Sequence, residues 1–153
     1  MQPFATIDDI DARYPAELIV LAADEVTGET DTVRVTAACE DASSEARAIL
    51  KARYTTAELG NLDLDSLETL RLYTIDIALY RIALSFSRSN ERIKERYEAA
   101  IKRLEAIASG RGGLSFASSD GGDDGSIETT GSPNEVLIEV PERVFSRDRL
   151  SGW

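Results

Sequence analysis

The sequence contains no histidine and a single cysteine, Cys39, among its 153 residues. The absence of histidine removes the side chain most often used as a general base and as a metal ligand. With one cysteine the chain cannot form an internal disulfide, and the nearby Ala38 and Ala42 favour a packing role for Cys39 over a nucleophilic one. We therefore expect no catalytic residue, no metal and no cofactor.

Neither a targeting segment nor a membrane-spanning segment is expected from the sequence. Its first residues contain neither a basic stretch nor an apolar one, so we expect no secretion signal. The most apolar stretch, residues 64–86, is interrupted by charged residues, which argues against a membrane span. We expect a soluble protein that is intracellular when made and has no contact with a membrane.

Positive charge is scarce relative to negative charge. The chain carries 17 basic and 28 acidic residues, a formal net charge of 17 − 28 = −11. A protein of this charge repels nucleic acid on average and does not grip phosphates. It can still surround DNA, because a negative wall leaves DNA free to slide.

Residues 64–86 form the central feature of the predicted fold. Their apolar residues recur at the three- and four-residue spacing of a helix face, and further leucines widen that face until it needs cover on several sides. The recurring positions are Leu64, Leu67, Ile75, Ala78, Leu79 and Ile82. Further periodic segments follow the helix-capping residues Thr6 and Asn90, and a long one begins at Asp31. We predict an all-α fold, a small bundle of about four to five helices around a long central helix.

Asp76 lies between two isoleucines of the central helix. A buried acid of this kind is either functional, with a raised pKa, or paired with an arginine. We favour a structural pair, with Arg81 or Arg53 as the candidate partner. The aromatic residues Tyr73, Tyr80 and Phe86 are left over from the central face, and we propose them as possible contacts between subunits.

The composition changes after Gly110. Residues 111–134 are rich in Gly, Ser and Asp and cannot form a core of their own. Residues 135–153 return to apolar and basic residues and include a short strand or hairpin before Pro141. We therefore divide the chain into a helical domain (1–110), a tether (111–134) and a docking segment (135–153). The expected contacts with a partner protein or a neighbouring subunit are Val136, Leu137, Ile138, Val140, Val144, Phe145, Arg147, Arg149, Leu150 and Trp153.

Several short stretches of the chain are distinctive when they are taken together and in order. They are "YPAELIVLAAD", "ILKARY", "DIALYRIAL", "RYEAAIKRLEAIASGRGGL" and "RVFSRDRLSGW", which together cover roughly residues 4–114 and 143–153. In these stretches the chain resembles the Mu-like family of tailed-phage proteins. That family is in turn similar to the head–tail connector, or adaptor, proteins of long-tailed phages.

The resemblance implies a structural role at the head–tail interface of the virion, with assembly in the host cytoplasm. It implies a homo-oligomeric ring, twelve-fold, that lies beneath the portal protein, contacts the next neck or tail-completion protein and surrounds the DNA exit channel. The alternative is an acidic helical module or regulator that captures a partner through its C-terminal tail. An enzyme built on paired carboxylates is the third and weakest hypothesis, because each pair lies at a predicted helix start or in the tail.

Overall fold

A computed structural model describes residues 2–24 and 26–117 of the chain. Five α-helices and one short 3-10 turn occur there. The helices are α1 (Ile7–Arg13), α2 (Pro15–Ala22), α3 (Thr32–Leu50), α4 (Leu64–Ser85) and α5 (Glu91–Ala108), and the 3-10 turn is Glu58–Gly60. The predicted all-α bundle is confirmed for these residues, which contain two isolated antiparallel bridges but no β-strand.

The helices begin where the side chains can cap them. Thr6 and Asp9 form a capping box at the start of α1. The side chains of Asp31, Asp63 and Asn90 each accept the backbone N–H three residues further on, at 3.0, 2.8 and 3.0 Å. These caps satisfy donors that the first helical turn leaves without partners, and they fix the starts of α3, α4 and α5.

The helix α4 is the centre of the bundle. It packs against α3 and α5 along its length and against α2, and its fully buried side chains include Leu70, Ile75 and Ile82. Leu64 shares this face by its helical spacing, but its side chain is 79% exposed. Leu64 is the first residue of α4, and the covering helices reach the inner face only in the following turns.

Small side chains bring α3 close to α4. Ala42 and Ala46 of α3 and Ala78 of α4 are completely buried, and Cys39 lies in the same core. Alanine at such positions lets two helix backbones approach each other more closely than larger side chains would. The predicted packing role of Cys39 fits this position in the core.

The chain turns sharply after α5 and then follows the bundle. Gly110 has a φ of +84°, in the left-handed region that glycine adopts without strain. Residues 111–117 continue along the helical body, and Leu114 among them is buried. These seven residues, which the sequence places in the tether, thus extend the packed body beyond residue 110. The rest of the tether and the docking segment, with its predicted strand or hairpin, lie outside the described residues.

Candidate functional site

The described part of the chain contains no cluster typical of a metal centre. No three Cys, Asp or Glu residues within it are placed to hold an ion together. Cys39 is buried, and burial raises the pKa of its thiol to about 12, so the thiolate needed for nucleophilic attack is not formed near neutral pH. None of the helices between residues 2 and 117 combines the length and apolarity that crossing a membrane requires.

The most elaborate polar cluster joins three helices around Arg96 of α5. Its guanidinium donates to Asp76 Oδ1 of α4 through Nε at 3.0 Å and Nη2 at 2.5 Å. Through Nη1 it donates to Glu17 Oε2 of α2 at 2.8 Å. The guanidinium carbon also lies 4.5 Å from the ring centre of Tyr14, a cation–π contact. We call Glu17, Asp76 and Arg96 the Arg96 cluster.

The Arg96 cluster corrects the expected pairing of Asp76. Asp76 does pair with an arginine, but neither Arg81 nor Arg53 is that residue. Arg81 binds Glu45 of α3, and Arg53 donates to the backbone carbonyls of Ile107 and Gly112. Arg96 was not predicted as the partner of Asp76, because it lies beside the apolar stripe of α5. The helical periodicity there predicts a side chain that faces solvent.

The Arg96 cluster contains two carboxylates and one guanidinium. Burial raises the pKa of Asp76, Arg96 opposes the rise, and the charge of Glu17 adds to it. Burial also acts against the charge of Arg96, but its hydrogen bonds to Glu17 and Asp76 outweigh that cost and raise its pKa. The cluster therefore joins α2, α4 and α5 as a structural clamp. Its two carboxylates are both hydrogen-bonded to the guanidinium of Arg96.

The three aromatic candidates for subunit contacts are half-buried and have partners inside the body. Tyr80 stacks on Tyr97 with ring centres 4.4 Å apart. Phe86 is covered by two guanidinium groups, those of Arg34 and Arg88, and Arg103 lies over Tyr73. A role for Tyr73, Tyr80 and Phe86 between subunits stays a prediction.

Arg88 holds the end of α2 in place. Its Nη1 donates to the carbonyl oxygens of Val20, Leu21 and Ala23 at 2.9–3.2 Å. These are the carbonyls that a helix end leaves without intrahelical partners. Arg88 therefore joins the turn after α4 to the end of α2.

A cavity of about 470 Å³ lies between the N-terminal residues and the loop before α4. Two arginines line it, but both are engaged: Arg47 donates to the Gln2 carbonyl and stacks on Phe4, and Arg71 pairs with Glu68. These partners offset the positive charge of the cavity, although the buried Nε of Arg71 makes no hydrogen bond to another described residue and lies 3.4 Å from Asp9 Oδ1.

The last described residues are fixed against the start of α4, and we call residues 111–117 the exit segment. Leu62 and Phe116 form an antiparallel bridge, flanked by Asp63 N–H donating to the Ser115 carbonyl at 3.1 Å and Ala117 N–H donating to the Asn61 carbonyl at 2.9 Å. Backbone pairing thus sets where the C-terminal part of the chain leaves the body.

Side chains strengthen the attachment of the exit segment. The Ser115 N–H donates to Ser66 Oγ at 2.8 Å, and the Leu114 N–H donates to the Tyr54 hydroxyl at 3.2 Å. Arg53 Nη1 donates to the Gly112 carbonyl at 3.0 Å. This arrangement was not predicted, because it joins residues about 50 to 60 positions apart that share no motif.

Replacing Ser66 by alanine is expected to loosen the exit segment without unfolding the bundle. The change removes the acceptor of the Ser115 N–H, and one lost hydrogen bond costs about 1 kcal/mol, which corresponds to roughly fivefold faster amide exchange through local opening. Amide hydrogen exchange at Ser115 measures this. Ser44→Ala removes an exposed hydroxyl from α3 and is the control; equal rates at Ser115 in both variants would contradict the attachment.

The expected docking residues, from Val136 to Trp153, lie outside the described residues. Their contacts with a partner or a neighbouring subunit stay predictions. The structure instead defines the point from which that segment leaves the body, beside Asn61.

Comparison with protein families finds a match over most of the chain. The model for "Bacteriophage Mu, Gp36" matches residues 4–128, which include all five helices and the exit segment. No curated protein matched the chain. The family match supports a structural or assembly protein of a phage. It ends before residues 143–153, so the resemblance noted for that stretch stays a prediction. Over more than half of its length the chain matches this one model, and it belongs to the bacteriophage Mu Gp36 family.

Proposed function

We propose that the protein is a head–tail connector, a structural subunit that forms a ring beneath the portal and bridges it to the neck or tail proteins. The fixed exit of the C-terminal segment beside the start of α4 carries the proposal. A connector has to project a docking segment from a defined point on a stable body, and the bundle with its attached exit segment provides that point.

The charge of the chain fits a ring around DNA. A subunit with a net charge of −11 repels phosphates, so a channel made from many copies would let DNA pass without binding it. A ring requires a head-to-tail interface, in which two different surfaces of each subunit meet. We propose no catalytic activity, because the polar clusters of the described residues serve helix capping and helix clamping.

Electron microscopy of the purified protein, alone and mixed with its portal protein, tests the proposal. We expect rings seated on the portal, and their symmetry can be counted directly. A monodisperse monomer that ignores the portal would overturn the connector and favour the alternative, an acidic module that captures another partner.

Removing residues 135–153 is expected to abolish portal binding and to leave the bundle folded. The deletion starts 18 residues after Ala117, so it leaves the contacts of the exit segment intact. Circular dichroism measures the fold and co-sedimentation with the portal measures binding. A variant lacking residues 119–126 shortens the tether, keeps the docking segment and serves as the control, with portal binding retained. A core that melts after the first deletion would assign residues 135–153 to the fold instead.

A further inference from the structure

A shallow groove runs along the outer side of α3 near its start. Two adjoining spaces of about 410 and 330 Å³ share Ala37 as part of their lining. Val33 and Leu84 flank the groove and are exposed by 77% and 52%. Glu40 and Asp41 also line it, together with Thr32, Arg34, Thr36, Ala38, Arg81 and Ser85. We call this feature, defined by Val33, Ala37, Glu40, Asp41 and Leu84, the α3 groove.

The free charge of the α3 groove is negative. The two arginines that line it have other partners: Arg34 pairs with Asp31 and stacks on Phe86, and Arg81 binds Glu45. Asp41 is 68% exposed and lies 3.7 Å from Arg81, a long and solvated contact. An apolar lining with acidic residues at its edge is complementary to a segment that is apolar and basic.

The C-terminal segment of this chain has that composition. Residues 143–153 contain three arginines and one acid, Asp148, a side-chain charge of 3 − 1 = +2. They also contain three large apolar residues, Phe145, Leu150 and Trp153. The chain thus carries both a groove and a segment of matching charge and polarity.

The groove and the exit segment lie at opposite ends of α4. The exit segment pairs with residues just before Leu64, where α4 begins, whereas the groove lies beside Leu84, where α4 ends. These two ends are about 30 Å apart at 1.5 Å per helical residue. The 25 residues 118–142 can span up to about 80 Å, which is enough to reach the groove of an adjacent copy as well as that of the same chain.

We propose that the α3 groove of one copy binds residues 143–153 of the next copy. Because the segment leaves one end of the body and the groove lies at the other, repeating this contact joins copies head to tail, as ring closure requires. The inference deepens the proposed connector function and rests on it for the ring. The contact itself needs no portal.

Trp153 makes the contact directly measurable, because it is the only tryptophan in the chain. We expect its emission in the full-length protein to be blue-shifted and protected from acrylamide at concentrations where sedimentation detects self-association. Ala37→Arg adds bulk and positive charge to the groove and should remove both the protection and the self-association. Ala37 is exposed on α3, so the fold is expected to tolerate arginine. The second variant, Glu40→Lys, reverses one charge of the groove and should also weaken the protection of Trp153 from acrylamide.

Ala48→Arg is the matched control. Ala48 is also exposed on α3, eleven residues further along, which is the same helix face about 16 Å away. Protection of Trp153 should persist in Ala48→Arg. A tryptophan that is exposed in the unaltered protein, or equally protected in the Ala37 and Ala48 variants, would overturn the proposal.

Mixing two variants separates binding between copies from binding within one chain. The Ala37→Arg chain has a blocked groove and a fluorescent segment, and a Trp153→Phe chain has an open groove and no tryptophan. We expect Trp153 of the first chain to regain its protection when the second is added. Failure to regain it would overturn binding between copies, and because no portal is present, the result is independent of whether the protein binds a portal.

Discussion

Replacing Leu70 by alanine is expected to destabilise the helical body by about 3 kcal/mol. Leu70 is a fully buried residue of α4, and its truncation removes apolar contacts and leaves a cavity that rigid neighbouring helices fill only in part. For a domain of this size the loss lowers the melting temperature by roughly 10–20 °C.

Leu72 provides the matched control on the same helix. Its side chain is 44% exposed, so Leu72→Ala loses less apolar contact and is expected to cost about 1 kcal/mol or less. Urea unfolding monitored by circular dichroism gives both free energies. Similar losses in the two variants would mean that Leu72 is covered in solution, as it would be at an interface between subunits.

The first and last residues of α4 could be predicted closely from the sequence, because helical periodicity and capping depend on residues that are close together in the chain. The predicted range 64–86 differs from Leu64–Ser85 by one residue, and the side chain of Asp63 caps the start of the helix. Periodicity does not say where neighbouring helices end, which is why Leu64 shares the spacing of the inner face although it is exposed.

The tertiary pairings could not be predicted in the same way. Asp76 has several arginines available to it, and only the packing of α4 against α5 selects Arg96, 20 residues away. The exit segment depends on Tyr54 and Ser66, single residues whose neighbours in sequence give no sign of a long-range hydrogen bond. For Asp76 the sequence shows the need for a partner, and in both cases the fold decides which residue is within reach.

Replacing Arg96 by methionine is expected to destabilise the body by about 2 kcal/mol. This loss is smaller than the loss from breaking a fully buried ion pair, because each member of the Arg96 cluster is partly exposed. Methionine keeps much of the side-chain volume but removes the guanidinium that lies between the carboxylates of Glu17 and Asp76, and among the described residues only the more distant charge of Arg103 still favours the ionised form of Asp76. The contact with the ring of Tyr14 is lost as well. Arg92→Met changes an exposed residue one turn earlier on α5 and is expected to alter stability by no more than about 0.5 kcal/mol.

The pH dependence of the Arg96→Met loss identifies its cause. Burial raises the pKa of Asp76 above its ordinary value of 3.8, so the folded protein binds this proton more tightly than the unfolded chain does. The contribution of Asp76 to stability therefore falls as the pH rises from 3.8 through its raised pKa. Without Arg96 the ionised form is disfavoured further, so the difference in unfolding free energy between the variant and the unaltered protein should be largest near neutral pH and shrink toward acid pH. Urea unfolding across this range measures the difference. A loss independent of pH would mean that Arg96 acts through packing on Tyr14 and not through its charge.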